Sequence, residues 1–175
     1  MNRTFQPALT RLIVATAATL VTTAAIASGN APAGGLRSER QITLELANRI
    51  AASTVAACQA NGHAVAVTVV DRAGIVRAIQ RADQAGPHTI EASRQKAYTS
   101  ASARNSTLAM MEAAQKNPGA ANLVHIDGFL LLGGGVPIRV GQEVVGAVGV
   151  GGAPGGHLDE QCAVSALDQV KDLLK

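Results

Sequence analysis

The side chains best placed to do chemistry in this chain are four histidines, two cysteines and a lysine–tyrosine pair. His63, His88, His125 and His157 stand 25, 37 and 32 residues apart, and these spacings form no metal-binding motif. His88 opens an expected helix, where the dipole disfavours imidazolium and leaves a neutral imidazole able to ligate a metal such as iron. His125 leads into an expected strand and could edge a pocket. His157 lies beside a glycine-rich loop and Asp159-Glu160, an acidic pair suited to the first turn of a helix. His63 reads as a surface turn residue next to a helix cap. Lys96 and Tyr98 share a segment of small residues and could serve a buried anion or an acid/base step. The plainer use of Lys96 is a structural ion pair with Asp83 or Glu91. Cys58 and Cys162 are either a disulfide or two small buried residues, because spacing alone does not set their Cα separation. His157 and Cys162 do not share a helical face, which argues against a nucleophilic pair. No G-x-S-x-G motif is present.

The stretch "GAVGVGGAPGGHLDEQCA" at 146–163 invites comparison with a phosphate-binding loop. A dinucleotide fingerprint needs G-x-G-x-x-G, but Gly149-Val150-Gly151-Gly152-Ala153-Pro154 lacks the third glycine. No Walker lysine follows Gly156, and no parallel strand comes after the element. Strand alternation explains the glycines better. Val144, Gly146, Val148 and Val150 share one face, whereas Val145, Ala147, Gly149 and Gly151 share a face that tapers to bare backbone. Such a face accepts either a closely packed helix or a flat ligand.

The elements that must position these residues follow from periodicity. A capping box at Ser38–Gln41 starts a first helix, Ser38–Ala60, with Ile42, Leu46 and Ile50 on its buried stripe and Asn61-Gly62 ending it. Val65–Val70 and Ile75–Gln80 form a hairpin around Asp71-Arg72-Ala73-Gly74. Helices over His88–Arg104 and Ser106–Lys116 come next. Strands follow at Ile126–Leu132, Val136–Val140 and Val144–Val150, the last two joined through Gly141-Gln142. A helix over Leu158–Leu174 closes the chain. The order is α-β-β-α-α-β-β-β-α, an α+β class with a largely antiparallel sheet and helices packed on it.

Met1–Ala27 reads as a secretory signal peptide: Arg3 and Arg11 precede or flank an apolar run, Leu12–Ala27, that ends in Ala25-Ile26-Ala27. The run is about 16 residues, short of the roughly 20 that span a membrane. Ser28–Gly35 is a Gly/Ala/Pro linker, and residues 36–175 form one domain. Export to the periplasm or beyond is expected, with no membrane span after cleavage. Of 15 Lys and Arg, Arg3 and Arg11 leave with the signal, so 13 face 12 acids. That near-neutral balance, with no basic cluster and only Phe5, Tyr98 and Phe129 as aromatics, excludes nucleic acid as a partner.

Four blocks in order carry a family resemblance. "VVDRAGIVRAIQRAD" (69–83), "ASRQKAYTSA" (92–101), "GGGVPIRVGQEVVGAVGVGGAPGG" (133–156) and "DEQCA" (159–163) resemble the GlcG/HbpS-like family. The resemblance implies a profilin/PAS-like domain, an antiparallel sheet of about five strands flanked by helices, assembled into homo-oligomers. It also implies haem as a ligand: the family includes exported haem-binding proteins that serve redox sensing, and a haem-binding domain joined to a corrinoid adenosyltransferase. Other members are encoded beside glycolate oxidation genes. Two departures matter. Gly151 stands where the family's G-V-S-G block has serine, and the first helix contains no histidine.

The resemblance therefore points to a non-enzymatic, exported haem-binding protein for haem storage, transfer or sensing. The iron ligand is expected among His63, His88, His125 and His157, with His88 first. Arg81, Arg94 or Lys96 could pair a propionate, and Tyr98, Gly149 and Gly151 could line the cofactor face. The alternatives are an accessory protein or enzyme for a small organic acid such as glycolate, bound by Lys96, Tyr98 and the glycine loops, and a structural oligomerisation module.

Overall fold

The computed structural model describes Met1 and residues 35–175, so the expected signal peptide and nearly all of the linker lie outside the described residues. Within the compact unit Ser38–Lys175, β1 (Ala66–Asp71) runs through the centre and is buried along its whole length. Its Val and Thr side chains suit a strand covered on both faces. It pairs antiparallel with β2 (Val76–Arg81) on one side and with β4 (Glu143–Gly151) on the other, and β3 (Gly135–Val140) pairs antiparallel with β4. The sheet order is β2-β1-β4-β3, four strands among the described residues rather than about five.

The difference lies at Ile126–Leu132. The apolar run predicts a strand, but the chain forms a short helix α4 (Pro118–Ala121), a 3-10 turn (Asn122–His125) and an irregular segment. Asp127-Gly128 interrupts the run, with Gly128 at φ +81. Its backbone then finds side-chain partners instead of a neighbouring strand. The Leu130 amide donates to Thr99 Oγ1 at 2.8 Å, and Thr107 Oγ1 donates to the Leu132 carbonyl at 2.8 Å.

One face of the sheet is covered by α1 (Leu44–Ala60) and α5 (Gly156–Gln169), the other by α2 (His88–Ala103), and α3 (Thr107–Lys116) touches α2, α5 and β3. Val67, Val69, Val148 and Val150 enter the larger core with Ile50 and Cys58, whereas Val70 and Ala147 meet Ala97 and Ala101 of α2. Val145 joins the larger core, against strict alternation. The β3–β4 register shifts between Ile138 and Arg139, so Val145 is the extra residue of a bulge.

Helix ends also correct the sequence reading. The Ser38–Gln41 box does not start α1; Thr43 is the N-cap, its Oγ1 accepting from the Leu46 amide at 3.1 Å. Ile42 is buried all the same, just before the helix. α5 begins at Gly156 and ends at Gln169, where a 3-10 turn (Lys171–Leu173) takes over. Cys58 of α1 and Cys162 of α5 are joined in a disulfide, Cα atoms 5.2 Å apart, which rules out Cys162 as a nucleophile.

Candidate functional site

The tapering face of β4 receives a helix. A Cβ on Gly149 would lie 2.5 Å from the Ala97 amide nitrogen and closer still to the Ser93 carbonyl oxygen, and one on Gly151 would press on Ala92 and the Thr89 carbonyl. Small residues at both levels let α2 settle onto the sheet, where Thr68 and Ser93 share a 2.8 Å hydroxyl hydrogen bond. Gly149 and Gly151 are thus a packing surface for α2 and not a floor for a flat ligand.

The same close approach buries Lys96. Its Nζ donates to Asp159 Oδ2 at 2.7 Å and to the Val150 carbonyl at 2.8 Å, with the two side chains 1% and 3% exposed. Asp159 Oδ1 also accepts from the Ala153 amide at 3.0 Å. Burial raises the Asp159 pKa above the ordinary carboxylate value, opposed by the charge and hydrogen bond of Lys96. The partner of Lys96 is therefore Asp159, neither Asp83 nor Glu91; Glu91 pairs with Arg94 at 2.7 Å. Gly134 stands against the pair, since a Cβ there would be 3.1 Å from Lys96 Nζ and 2.7 Å from Asp159 Cβ.

Tyr98 is likewise a packing residue. Its ring meets Phe129 edge-on at 6.2 Å and lies against Gly74 and Gly128, two turn glycines whose missing Cβ atoms make room for it. Arg81 donates to the Ala85 carbonyl at 2.7 Å. His88 is exposed at the first residue of α2, and His125 is exposed at the end of the 3-10 turn. His63 borders two small polar clefts, its amide donating to the Cys58 carbonyl at 3.0 Å and its ring within electrostatic reach of Asp159.

His157 is exposed as well, but it borders a larger groove. It is the second residue of α5 and stands at the head of a groove of about 730 Å³. Along the groove, Glu160, Gln161, Val164, Ser165 and Asp168 recur at the spacing of one helical face, and Leu108 of α3 forms the opposite wall. The His157 ring folds over Gly155, where a Cβ would sit 2.7 Å from the ring carbon Cε1. Oε2 of Glu160 is buried with no hydrogen-bond partner among the described residues. The sequence points to His157 and to Glu160 as a first-turn acid, but not to Val164 and Leu108 as partners in one groove. The i, i+3, i+4, i+7 stripe was visible, but its second wall comes from an element some fifty positions away.

Residues 42–168 match the model of the HbpS-like family, described as haem degrading protein HbpS-like. The chain belongs to the HbpS-like family. It is 33% identical to the protein GlcG of Escherichia coli K12 over 109 residues, 62% of this chain and 80% of GlcG. It also resembles the crystal structure of a double mutant of HbpS from Streptomyces reticuli, at 35% identity and a TM-score of 0.73, over 80% of this chain and 94% of that one. A crystal structure of a PduOC–haem complex shares the fold at 20% identity and a TM-score of 0.66, over 74% of this chain and 94% of that one.

Haem asks little of a protein's metal ligands, because the porphyrin nitrogens fill the equatorial positions and the chain supplies an axial donor. Among the described residues of this HbpS-like chain, no three His, Cys, Asp or Glu side chains gather for a bare ion. A single imidazole, His157, stands with Leu108 and the exposed Val164 in a largely polar groove of about 730 Å³. The groove lining holds no lysine or arginine to pair a propionate and carries the carboxylates of Glu160 and Asp168. His157 is the lining residue that would hold a haem iron, and the lining supplies no partner for the propionates.

Proposed function

We propose that this HbpS-like protein is exported and binds haem along α5, with His157 as the iron ligand, for haem storage, transfer or sensing. The observation that supports this reading is the imidazole of His157 at the head of a groove of about 730 Å³ with Leu108 and Val164 in its lining. Among the four candidate histidines it displaces His88, which stands at the start of α2 and outside that groove's lining. The iron supplies redox and axial-ligand chemistry when bound. The chain's own part would be to hold the imidazole of His157 beside Leu108 and Val164, on a helix tied to α1 through Cys162 and to α2 through Asp159.

Export is supported by the signal-like residues 1–27 and by the disulfide, which persists in oxidising compartments. Among the described residues no helix is long and apolar enough to cross a membrane. Self-association is supported by the edge strand β2, which leaves Val76 and Ile79 exposed, and by exposed Val124, Ile126 and Leu132. The small-acid alternative loses its anchor, because Lys96 is committed to Asp159 and the Val150 carbonyl.

Hemin titration of the purified protein tests the central claim. A saturable Soret shift is expected, lost in His157→Ala and kept in His88→Ala and His125→Ala. Absence of any saturable shift would remove the haem reading, and loss only in His88→Ala or His125→Ala would move the site. Signal cleavage after Ala27 is checked by the mass of the protein recovered from the exported fraction.

A further inference from the structure

We propose that the open edge of β2 docks an extended acidic peptide, added to the sheet as a further strand, with Arg77 and Arg81 reading acidic side chains on either side of an apolar one packed on Ile79. The proposal stands apart from the haem reading. β2 is an outer strand of the sheet, paired only with β1 among the described residues. The Ala82 amide donates to the Val65 carbonyl, so by antiparallel alternation the backbone groups of Ile79 and Arg81 point to the unpaired side. The other outer strand, β3, is blunted by Pro137, whereas β2 holds no proline.

Side chains decide what fits that edge. Ile79 stands opposite Thr68, whose hydroxyl meets Ser93 of α2, so Ile79 belongs to the α2 side of the sheet. Alternation places Arg77 and Arg81 on the same side. α2 lies over β1 and β4 and leaves this margin uncovered: Ile79 is 44% exposed although its ladder neighbour Thr68 is fully buried. The Arg77 guanidinium makes no hydrogen bond or ion pair among the described residues, and its Nε is buried without an acceptor. Arg81 uses Nη1 on the Ala85 carbonyl and keeps further donors. On an added strand, residues directly opposite lie about 4.5–5.5 Å away, so acid-x-apolar-x-acid matches Arg81, Ile79 and Arg77 in either strand direction. A second copy of β2 is a poorer partner, because pairing Ile79 with its own copy sets Arg77 against Arg81.

The test uses a fluorescein-labelled peptide, Ser-Glu-Thr-Val-Thr-Glu-Ser, and the same peptide with glutamine for both glutamates. The glutamate peptide is expected to bind saturably and to weaken as salt rises. The glutamine peptide is expected to bind at least about 5-fold more weakly. Arg77→Gln and Arg81→Gln are each expected to weaken the glutamate peptide about 3- to 10-fold, with melting temperatures showing that both fold. Hydrogen exchange read by NMR is expected to slow at the Ile79 and Arg81 amides when the peptide saturates. Equal binding of the two peptides, unchanged affinity in both arginine variants, or saturation without protection of those two amides would each overturn the proposal. So would a dimer in sedimentation whose Ile79 and Arg81 amides are already protected, since a second copy then fills the edge.

Discussion

Lys96 Nζ and Asp159 Oδ2 lie 2.7 Å apart, across 63 residues of sequence and almost wholly shielded from water. The pair fastens α2 to the first turn of α5, and the second bond of Lys96, to the Val150 carbonyl, fastens both to the end of β4. Removing one partner leaves the other charge buried. Lys96→Met or Asp159→Leu is expected to cost about 3–5 kcal/mol, while the double variant Lys96→Met/Asp159→Leu recovers most of the loss. Urea denaturation of the three proteins checks this, and additive single costs would contradict it.

The disulfide between Cys58 and Cys162 spans 104 residues and ties α1 to α5 inside the main core. Replacing both cysteines with alanine is expected to lower stability by about 2–5 kcal/mol, chiefly by freeing the unfolded chain. The midpoint of denaturation should fall by the same amount when wild type is measured under a strong thiol reductant. A reductant-insensitive midpoint in wild type, with no change in the double variant, argues against the bridge.

Gly149 separates the two accounts of the glycine face. A methyl group there meets the backbone of α2 at Ser93 and Ala97, so Gly149→Ala is expected to cost about 3 kcal/mol or more. Gly141, in the β3–β4 turn, has open space around it and φ +60, so Gly141→Asn is expected to be mild because asparagine tolerates this conformation. Melting temperatures of the two variants report the contrast. Equal melting temperatures would leave the face without its packing role.

Glu143 accepts from Arg40 Nε at 2.9 Å and from Arg72 Nη1 at 2.5 Å. The Arg40 hydrogen bond, with a further contribution from Arg72, lowers its pKa below the ordinary glutamate value. A lowered folded-state value means that the unfolded chain takes up this proton first. The contribution of Glu143 is therefore present above the ordinary carboxylate pKa and is lost as pH falls through the lowered one. Glu143→Gln is expected to flatten the acid limb of the stability–pH curve and to leave the neutral limb parallel to wild type. Denaturation midpoints from neutral pH to pH 3 provide the comparison.

Much of the architecture was legible in the chain itself, because its signals are local. Asp71-Arg72-Ala73-Gly74 marks the β1–β2 turn, where Asp71 Oδ1 accepts from the Ala73 and Ile75 amides and Gly74 takes φ +79. Asn61-Gly62 ends α1, Ser106 caps α3, and β3 and β4 meet at Gly141 as their turn residues require. Other features depended on partners distant in sequence. The apolar run at Ile126–Leu132 looks like a strand by composition, yet Thr99 and Thr107 capture its backbone and Gly128 bends it. Thr43 and not Ser38 caps α1, although both offer the right hydroxyl.

The sequence by itself determined the α+β class, the hairpins, the alternation that tapers β4 and the family to which the chain belongs. Tertiary structure alone decided that α2 fills the taper, that Lys96 belongs to Asp159, that Cys58 meets Cys162 and that His157 heads a groove walled by Leu108. The reason is one of range. Turns, caps and strand faces are set by energies within a few neighbouring residues, whereas ion pairs, disulfides and grooves exist only where packing brings distant segments together.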